Sequence, residues 1–250
     1  DSGNDRGRIY RVVPENFVQP QLPRLDQATL AELVAMLDHP NGWHRSTAAR
    51  LLYERQDQAA VEPIRRLAKR GQTGLGRTVA NYSLAALGGL ESSDLVSALT
   101  DESAVVRAHA VRLAEVFLPS LQPGAAGQKA VFDSPLAAGL RRLAADPDAQ
   151  VRYQLGWTLG VVRIPGKAVA LATLLRHGAG DRWQQVAALN AATENHSEII
   201  KLLTTDEAFA GSKVGTRIIT RLETMAAGRL AKVSAGSAGE YHAQVFKPKT

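Results

Sequence analysis

The sequence predicts an all-α fold, a right-handed solenoid of stacked helical hairpins. Two observations predict it. Similar amphipathic segments recur every 30 to 45 residues along the chain, and such periods are typical of helical repeats. The composition also fits, because alanine supplies 40 of the 250 residues and arginine outnumbers lysine by 22 to 8. Alanine favours helices and allows neighbouring helix axes to approach closely.

Four of the repeated segments have an arginine near the start of an amphipathic helix. They are Arg45 in GWHRSTAARLL, Arg77 in GLGRTVANYSLAAL, Arg107 in AVVRAHAVRLAEV and Arg152 in AQVRYQLGWTLG. These arginines are 32, 30 and 45 residues apart. An insertion from Pro119 to Asp133, rich in glycine, proline and alanine, accounts for the longest interval.

A shorter helix is predicted before each segment, so each repeat is a helical hairpin. The predicted first helices cover residues 27–37, 60–69, 93–99 and 136–144. A fifth unit covers residues 168–176 and 181–192, with Gln184 or Gln185 where the arginine should be. A more degenerate sixth unit covers residues 197–203 and 214–230. The predicted solenoid therefore runs from residue 27 to residue 232.

The spacing within the second helices predicts their buried face. With each arginine numbered as zero, positions −1, +3 and +7 are mostly small or apolar, and they share one face at about 100° per residue. Examples are Val106, Ala110 and Ala114 in one repeat and Val151, Leu155 and Leu159 in another. We expect this face to form the core.

The arginines sit at the flank of that face, where they can reach a neighbouring repeat. Asp101 precedes Arg107 by six residues, and Asp146 precedes Arg152 by six. An aspartate in this turn can cap the second helix and pair with the arginine of the adjacent repeat. We therefore predict a structural ladder made of Arg45, Arg77, Asp101, Arg107, Asp146 and Arg152.

This pattern resembles HEAT repeats, whose motif has a proline in the first helix, an aspartate eight residues later and an arginine six beyond that. Pro63 and Arg77 stand at those intervals, with Gly71 in the aspartate position. The pairs that contain Asp101 and Asp146 lack the proline. The resemblance covers roughly residues 27–230 and implies HEAT-like hairpins. HEAT arrays scaffold many unrelated partners, so the fold does not name a function.

The two ends of the chain depart from the repeat pattern. Gly7–Val13 is β-branched and aromatic and is predicted to be a short strand, either loosely packed or paired with a sheet that precedes residue 1. Prolines then mark a linker, so residues 1–26 form an N-terminal segment. Residues 211–250 carry a formal charge of +5 out of +6, and residues 233–250 are predicted to be a flexible basic tail or linker.

The segments GRIYRVVPENF and LDQATLAELVAMLDHPNGWHRSTAARLLYERQD resemble a family of large multidomain membrane-bound dehydrogenases of planctomycetes and their relatives. In that family a sorbosone-dehydrogenase-like β-propeller precedes a HEAT domain, and a cytochrome c domain with a CxxCH motif follows. The resemblance implies a periplasmic or cell-envelope location. It places haem c and any sugar oxidation in domains outside these residues, so we expect no cofactor in this chain.

Few kinds of chemistry remain open to the chain. With no cysteine, it cannot hold a thiolate nucleophile, a disulfide, a cysteine-ligated zinc or an attached haem. The six histidines form no HExxH motif or i, i+4 pair, and no apolar run is long enough to span a membrane. Gly160–Lys167 superficially suggests a phosphate loop, but five residues separate its glycines and Ala168 replaces the required hydroxyl residue, so we interpret it as a turn.

The helical wheel predicts a candidate interaction surface. Positions +1, +5 and +8 point away from the core, and second helices line the concave side of HEAT arrays. The candidate residues are Arg50, Tyr53, Tyr82, Arg112, Tyr153 and Trp157. Arginine, tyrosine and tryptophan are enriched at binding hot spots. An arginine-rich composition, or stacking of Trp157 on the insertion, would explain the same pattern without a partner.

We therefore predict a non-catalytic scaffold that binds flanking redox domains or a separate protein on its concave face. One alternative is a nucleic-acid-binding module or DNA glycosylase, suggested by Asp181 near Trp183. It is disfavoured because residues 1–210 carry a charge of only +1. A HEAT-type chromophore lyase is a second alternative.

Overall fold

The computed structural model describes residue 7 and residues 10–18, 21–118 and 134–236, with side chains of the last helix described to residue 228. It contains six helical hairpins. The first helices are α1 (Leu30–Met36), α3 (Val61–Arg70), α5 (Ser92–Ala98), α7 (Pro135–Arg142), α9 (Lys167–His177) and α11 (His196–Thr204). The second helices are α2 (Gly42–Arg55), α4 (Gly74–Ala86), α6 (Ala104–Leu113), α8 (Ala149–Leu159), α10 (Arg182–Ala191) and α13 (Lys213–Gly236), with the short α12 (Glu207–Gly211) before α13.

The hairpins stack in two layers. Each first helix packs against the next first helix, from α1 to α11, and each second helix against the next, from α2 to α10. The stack continues past the predicted insertion, because α5 contacts α7 and α6 contacts α8. Residues 119–133 themselves lie outside the described residues. The prediction of an all-α solenoid of helical hairpins is therefore confirmed.

The second helices begin with a common local signal. A short polar residue stands at the N-cap, and its side-chain oxygen accepts a backbone N–H of the first turn in four cases, at Asn41, Thr73, Asp148 and Asp181. The arginine follows its N-cap by four residues in each of the first four hairpins. By the same count the fifth hairpin has Gln185 in the arginine position, which settles the choice between Gln184 and Gln185.

The predicted core face is buried. Val151, Leu155 and Leu159 of α8 are fully buried, and full burial of one such aliphatic side chain contributes about 1.5–3 kcal/mol. The equivalent Val106, Ala110 and Ala114 of the third hairpin are buried as well. With Gln185 numbered as zero, the same three positions of the fifth hairpin are also buried, at Gln184, Ala188 and Ala192.

The core divides into two apolar clusters. One lies in hairpins 1 and 2 and the other in hairpins 3 to 6. Polar contacts join the two, among them an ion pair that sequence reasoning missed. The Arg65 Nε lies 3.1 and 3.0 Å from the two carboxylate oxygens of Asp94, whose side chain is buried. Leu90 packs against both clusters, so the junction between hairpins 2 and 3 combines apolar contact with directional bonds.

The N-terminal segment forms no β-strand in the residues that the structure describes. Residues 10–13 have irregular backbone, and Tyr10 and Val12 are exposed. The strand predicted over Gly7–Val13 is not seen in these residues, and its pairing with a sheet that precedes residue 1 stays a prediction. Residues 8 and 9 lie outside the described set.

The C-terminal boundary also differs from the prediction. Helix α13 continues to Gly236, so the boundary predicted at residue 233 falls inside a helix. The rest of the predicted tail, residues 237–250, is not described.

Candidate functional site

The predicted ladder residues meet between neighbouring hairpins. Arg77 uses its Nη1 to donate to the Gly71 carbonyl of its own turn at 2.8 Å. Its Nε and Nη2 donate to the Asp101 carboxylate of the next hairpin at 2.8 and 2.7 Å. Arg107 repeats the arrangement with the Asp101 carbonyl at 2.8 Å and the Asp146 carboxylate at 2.8 and 2.9 Å. Each of these arginines therefore ties its own turn to the next one.

The ladder changes at both ends. Arg45 donates to the His39 and Pro40 carbonyls of its own turn, but the aspartate position of the next hairpin holds Gly71, which has no carboxylate. Arg152 donates to the Asp146 carbonyl and to the Gln184 Oε1 at 2.5 and 2.9 Å.

In the fifth hairpin, two glutamines replace the aspartate and the arginine of the ladder. Gln184 accepts from Arg152, as the aspartate does in the earlier links. Gln185, in the arginine position, donates to the Ala179 carbonyl six residues before it at 2.6 Å. The polar link between turns is therefore kept without an ion pair at this step.

The capping role expected of Asp101 and Asp146 is wrong in one respect. Each accepts the backbone N–H two residues later, at Ser103 and Asp148, at 2.8 and 2.9 Å. That residue is itself the N-cap, so the aspartate fixes the residue before the helix instead of the first helical turn. The carboxylate oxygens of Asp101 and Asp146 are occupied by bonds to the arginine of the neighbouring hairpin and to their own turn. We therefore interpret the ladder as a structural feature.

The other predicted set lies on the exposed surface of α2, α4, α6, α8 and α10, which we call the second-helix face. Position +5 is solvent-exposed in each of the four hairpins, at Arg50, Tyr82, Arg112 and Trp157. Tyr53 is exposed and Tyr153 is partly buried. Position +1 is less uniform, since Thr78 is buried and donates to the Gly74 carbonyl.

A second row of this face was missed by sequence reasoning. Position −2 carries an exposed large apolar side chain in four of five hairpins, at Trp43, Leu75, Val105 and Trp183. Positions −2 and +5 are seven residues apart, so they share one side of a helix within about 20°. The heptad relation to the +5 row was a signal that could have identified these residues.

Exposure is unequal between the two layers. Among the described residues from 30 to 228, every exposed large apolar side chain except Val169 lies on a second helix or within four residues of its end. First helices thus present an ordinary polar surface, whereas the second-helix face presents aromatic and aliphatic side chains to solvent.

Tyr82, His109 and Arg112 form a cluster in the middle of this face. The Tyr82 hydroxyl lies 3.0 Å from the His109 Nδ1, and the rings are T-shaped with centroids 5.5 Å apart. Partial burial raises the pKa of Tyr82, although 37% of the residue stays exposed. Partial burial, assisted by the positive charge of Arg112, lowers the pKa of His109, which also stays exposed to solvent. The neutral form of His109 is therefore favoured, and in that form Nδ1 can accept a hydrogen bond from the Tyr82 hydroxyl.

This arrangement predicts a loss of stability in mild acid. The pKa of His109 is lower in the folded chain than in the unfolded chain. Neutral His109 therefore contributes its full stabilisation of the fold above the unfolded pKa of about 6.5. That stabilisation is lost as the pH falls through the folded pKa. His109→Gln should flatten the decline in melting temperature between pH 7 and pH 5. Tyr82→Phe keeps the ring that covers His109 and should retain most of the decline. An unchanged decline in His109→Gln would contradict the assignment.

An open groove lies between the N-terminal halves of α8 and α10. It has a volume of about 410 Å³ and is lined by Ala149, Gln150, Tyr153, Asp181 and Trp183. The Tyr153 ring stands edge-on to Trp157 at 6.1 Å, and the Arg182 guanidinium lies 5.7 Å from the Trp183 ring. Two aromatic side chains, Tyr153 and Trp183, therefore line the groove.

Asp181, at the edge of this groove, is occupied by its own helix. Its oxygens accept the backbone N–H groups of Trp183 and Gln184 and the side-chain amide of Gln184, at 2.8 to 3.2 Å. These bonds, led by the one from the Gln184 backbone, lower the pKa of Asp181 and keep it ionised. The arrangement matches a helix cap.

Neither a phosphate loop nor a metal centre is found in the described part of the chain. Gly166 has a positive φ of 69° and Lys167 begins α9, so the Gly160–Lys167 segment is a turn between hairpins. No three histidine, aspartate or glutamate side chains come together there as metal ligands would. No helix within the same ranges is long and apolar enough to cross a membrane.

Residues 30–115 match the family model for HEAT repeats. The match spans hairpins 1 to 3 and supports the HEAT-like prediction for that part of the chain. A comparison with curated proteins found no match.

Several engineered proteins of known structure are similar to the chain. One engineered protein from a structural genomics consortium is 18% identical, with 79% of this chain and 99% of that chain covered at a TM-score of 0.47. A designed armadillo repeat protein in complex with the peptide (KR)4 is 14% identical, with the same coverage and a TM-score of 0.42. The similarity at these scores is limited, and nothing about binding follows from it.

Proposed function

We propose that the chain is a non-catalytic scaffold that binds a protein partner on its second-helix face. The observation that carries the proposal is the unequal exposure of the two layers. Large aromatic and aliphatic side chains are exposed on the second helices, whereas the first-helix layer exposes one of them, Val169, among the described residues. Partly exposed tryptophan and tyrosine beside arginine are the groups that contribute most at protein interfaces.

The rigidity of the array supports the same proposal. The ladder of Arg77, Asp101, Arg107 and Asp146 fixes hairpin 2 to hairpin 3 and hairpin 3 to hairpin 4 by bidentate bonds. A surface whose side chains are already held in place loses less conformational entropy when a partner binds. Because the face spans five hairpins, it suits an elongated partner that contacts several hairpins at once.

A finer part of the proposal concerns the neighbours of the scaffold. The resemblance of GRIYRVVPENF and the following repeats to multidomain dehydrogenases supports a role in positioning a β-propeller and a cytochrome c domain of the same polypeptide, in the periplasm or cell envelope. The native gene on both sides of this sequence tests it. We expect β-rich repeats upstream and a CxxCH motif downstream. A start codon directly before Asp1 and a stop codon after Thr250 would contradict this part alone.

The main proposal is tested by selecting ligands without a prior choice of sequence. A phage library of random 12-residue peptides would be panned against the chain, and the affinity of the enriched peptides measured by fluorescence anisotropy. Tyr82→Ala and Trp157→Ala should each weaken binding by about tenfold, the effect of removing a hot-spot side chain. Val169→Ala, which removes an exposed apolar side chain of the other layer, should leave affinity unchanged.

Two results would overturn the proposed function. One is the absence of any enriched peptide. The other is a set of peptides that lose affinity with Val169→Ala but not with Tyr82→Ala or Trp157→Ala, which would place the binding surface on the first helices. Oxidation of an aldose by the purified chain with an artificial electron acceptor would contradict the non-catalytic role.

A further inference from the structure

We propose that the start of α9 binds a single phosphate group, held by the Lys167 amine and by the free backbone N–H groups of the first helical turn. The site belongs to a first helix, so it is separate from the second-helix face and goes beyond the proposed function. The inference follows from a buried amine without a partner, from an uncapped helix start and from the charges that act on the amine.

The side chain of Lys167 is buried without a hydrogen-bonding partner. The residue is 7% exposed, and its Nζ makes no hydrogen bond with any residue that the structure describes. Such an ammonium is costly, because burial removes its hydration and no protein group replaces the water. Burial is the main cause that lowers the pKa of Lys167. An anion beside Nζ would supply the missing partner and favour the charged form of the amine.

The backbone at the start of α9 offers further donors. The helix has 11 residues, and its N-cap, Gly166, has no side chain that could accept the backbone N–H groups of residues 167–169. Free N–H groups at the positive end of the helix dipole attract anions. Gly166 and Val169 are exposed, so this turn is open to solvent.

The Lys167 side chain extends toward the same end of the helix. A helical side chain leaves its Cα tilted toward the helix N-terminus, and Lys167 is the first residue of α9. The two charged groups that act on its amine lie outside the helix, Arg163 in the turn before α9 and Glu194 in the turn before α11. The flexible lysine stem allows the amine and the free N–H groups to meet on one ligand.

The charges that act on the amine leave one positive charge in excess. Arg163 and Glu194 are both exposed and of opposite sign, so their effects on an anion nearly offset each other. The charge of Lys167 itself and the helix dipole then decide the preference. One positive charge with several N–H donors suits a single oxyanion, whereas a nucleic-acid backbone requires many cations.

The turn is held in place before any ligand binds. The side chains of Val162 and Ile164 are buried, and the Arg141 Nη1 donates to the Pro165 carbonyl at 3.1 Å. A site whose backbone is already fixed loses less conformational entropy when it binds.

The sequence comparison of Gly160–Lys167 with a phosphate loop limits the ligand. Ala168 replaces the hydroxyl residue that holds Mg²⁺ in such loops. The turn keeps a glycine followed by a lysine at the start of a helix. These residues therefore favour one phosphate group and not a nucleotide with its metal ion.

Calorimetric titration of the full chain with inorganic phosphate tests the inference, with sodium chloride holding the ionic strength constant. We expect one phosphate per chain and a dissociation constant of about 1 mM or lower, as a few charge-assisted hydrogen bonds provide. Glycerol 3-phosphate distinguishes two sources of the group. Binding as tight as that of phosphate would assign the site to a phosphate ester, and binding of phosphate alone would assign it to the free ion.

Three variants have different expected effects on phosphate binding. Lys167→Met should weaken it at least about tenfold. Glu194→Gln removes a repelling charge and should strengthen it about twofold. Lys201→Met removes an exposed lysine of the next first helix and should leave affinity within about twofold. A general loss of folding would not produce the opposite effects expected at Lys167 and Glu194.

The melting temperature without phosphate separates loss of the site from loss of the fold. Lys167→Met removes a buried amine without a partner, so this variant should melt at the same temperature as the original chain or higher. No phosphate binding at about 50 mM ligand would overturn the inference. Unchanged affinity in Lys167→Met, equal losses in Lys167→Met and Lys201→Met, or weaker binding in Glu194→Gln would also overturn it.

Discussion

Asp101→Ala is expected to lower the free energy of unfolding by about 3–5 kcal/mol, the cost of leaving a buried charge without its partner. Arg77 is 6% exposed and donates twice to the Asp101 carboxylate. That carboxylate raises the pKa of Arg77. An arginine guanidinium stays protonated in proteins, so in Asp101→Ala it would remain buried as a charge without its partner. Chemical denaturation monitored by circular dichroism would measure the change.

The same arginine supplies the control. Its Nη2 also lies 3.2 Å from Glu102, whose side chain is 86% exposed. An exposed ion pair contributes at most about 1 kcal/mol, so Glu102→Ala should have little effect. The double variant Arg77→Met/Asp101→Leu should recover most of the stability lost in Asp101→Ala, because apolar replacement of both partners leaves no unpaired charge. Equal effects of Asp101→Ala and Glu102→Ala would show that the buried link contributes little.

Gly76→Ala is expected to destabilise the chain by about 3 kcal/mol, at the upper end of the cost of overfilling a packed site. A Cβ at position 76 would lie 2.6 Å from the carboxyl carbon and 2.9 Å from the Cα of Asp38. Asp38 cannot easily move away, since it accepts bonds from the Gln72 and Thr73 backbone and from the Thr73 hydroxyl, at 2.5 to 3.1 Å. Thermal and chemical denaturation would measure the loss.

Gly228→Ala is the matched control for this change. Gly228 also lies in a helix, but a Cβ there would meet nothing within 4 Å. Alanine is better than glycine in a helix by about 0.5–1 kcal/mol, so Gly228→Ala should stabilise the chain slightly. A stabilising Gly76→Ala would mean that the turn of hairpin 1 at Asp38 lies less close to the start of α4 than the structure describes.

The two stability predictions concern adjacent links that serve the same purpose. Asp38 joins the turn of hairpin 1 to the turn of hairpin 2, and Asp101 joins hairpin 3 to hairpin 2. Both links fix the angle between neighbouring second helices. The spacing of Arg112, Tyr153 and Trp183 on the second-helix face depends on equivalent links farther along the array, through Asp146 and Gln184.

The sequence by itself determined most of the helices and their buried faces. N-cap residues, amphipathic spacing and the arginine at the fourth position after the cap are local features, because they depend on residues within one or two helical turns. The predicted first helix of residues 27–37 begins at Leu30 in the structure, and the predicted core positions of α8 are buried. The strand predicted over Gly7–Val13 is not seen in the described residues; strands, unlike helices, need a partner for their backbone bonds, and the predicted pairing with a sheet before residue 1 stays a prediction.

Only the tertiary structure decided how the hairpins meet. It showed that Gln185 stands in the arginine position, that Arg65 pairs with Asp94, and that Asp38 bonds to a turn 34 residues away. It also showed that the groove lies between Tyr153 and Trp183, although their own helices gave no such indication. Contacts of this kind depend on the angle and register between packed helices, which the periodicity of a single helix does not contain.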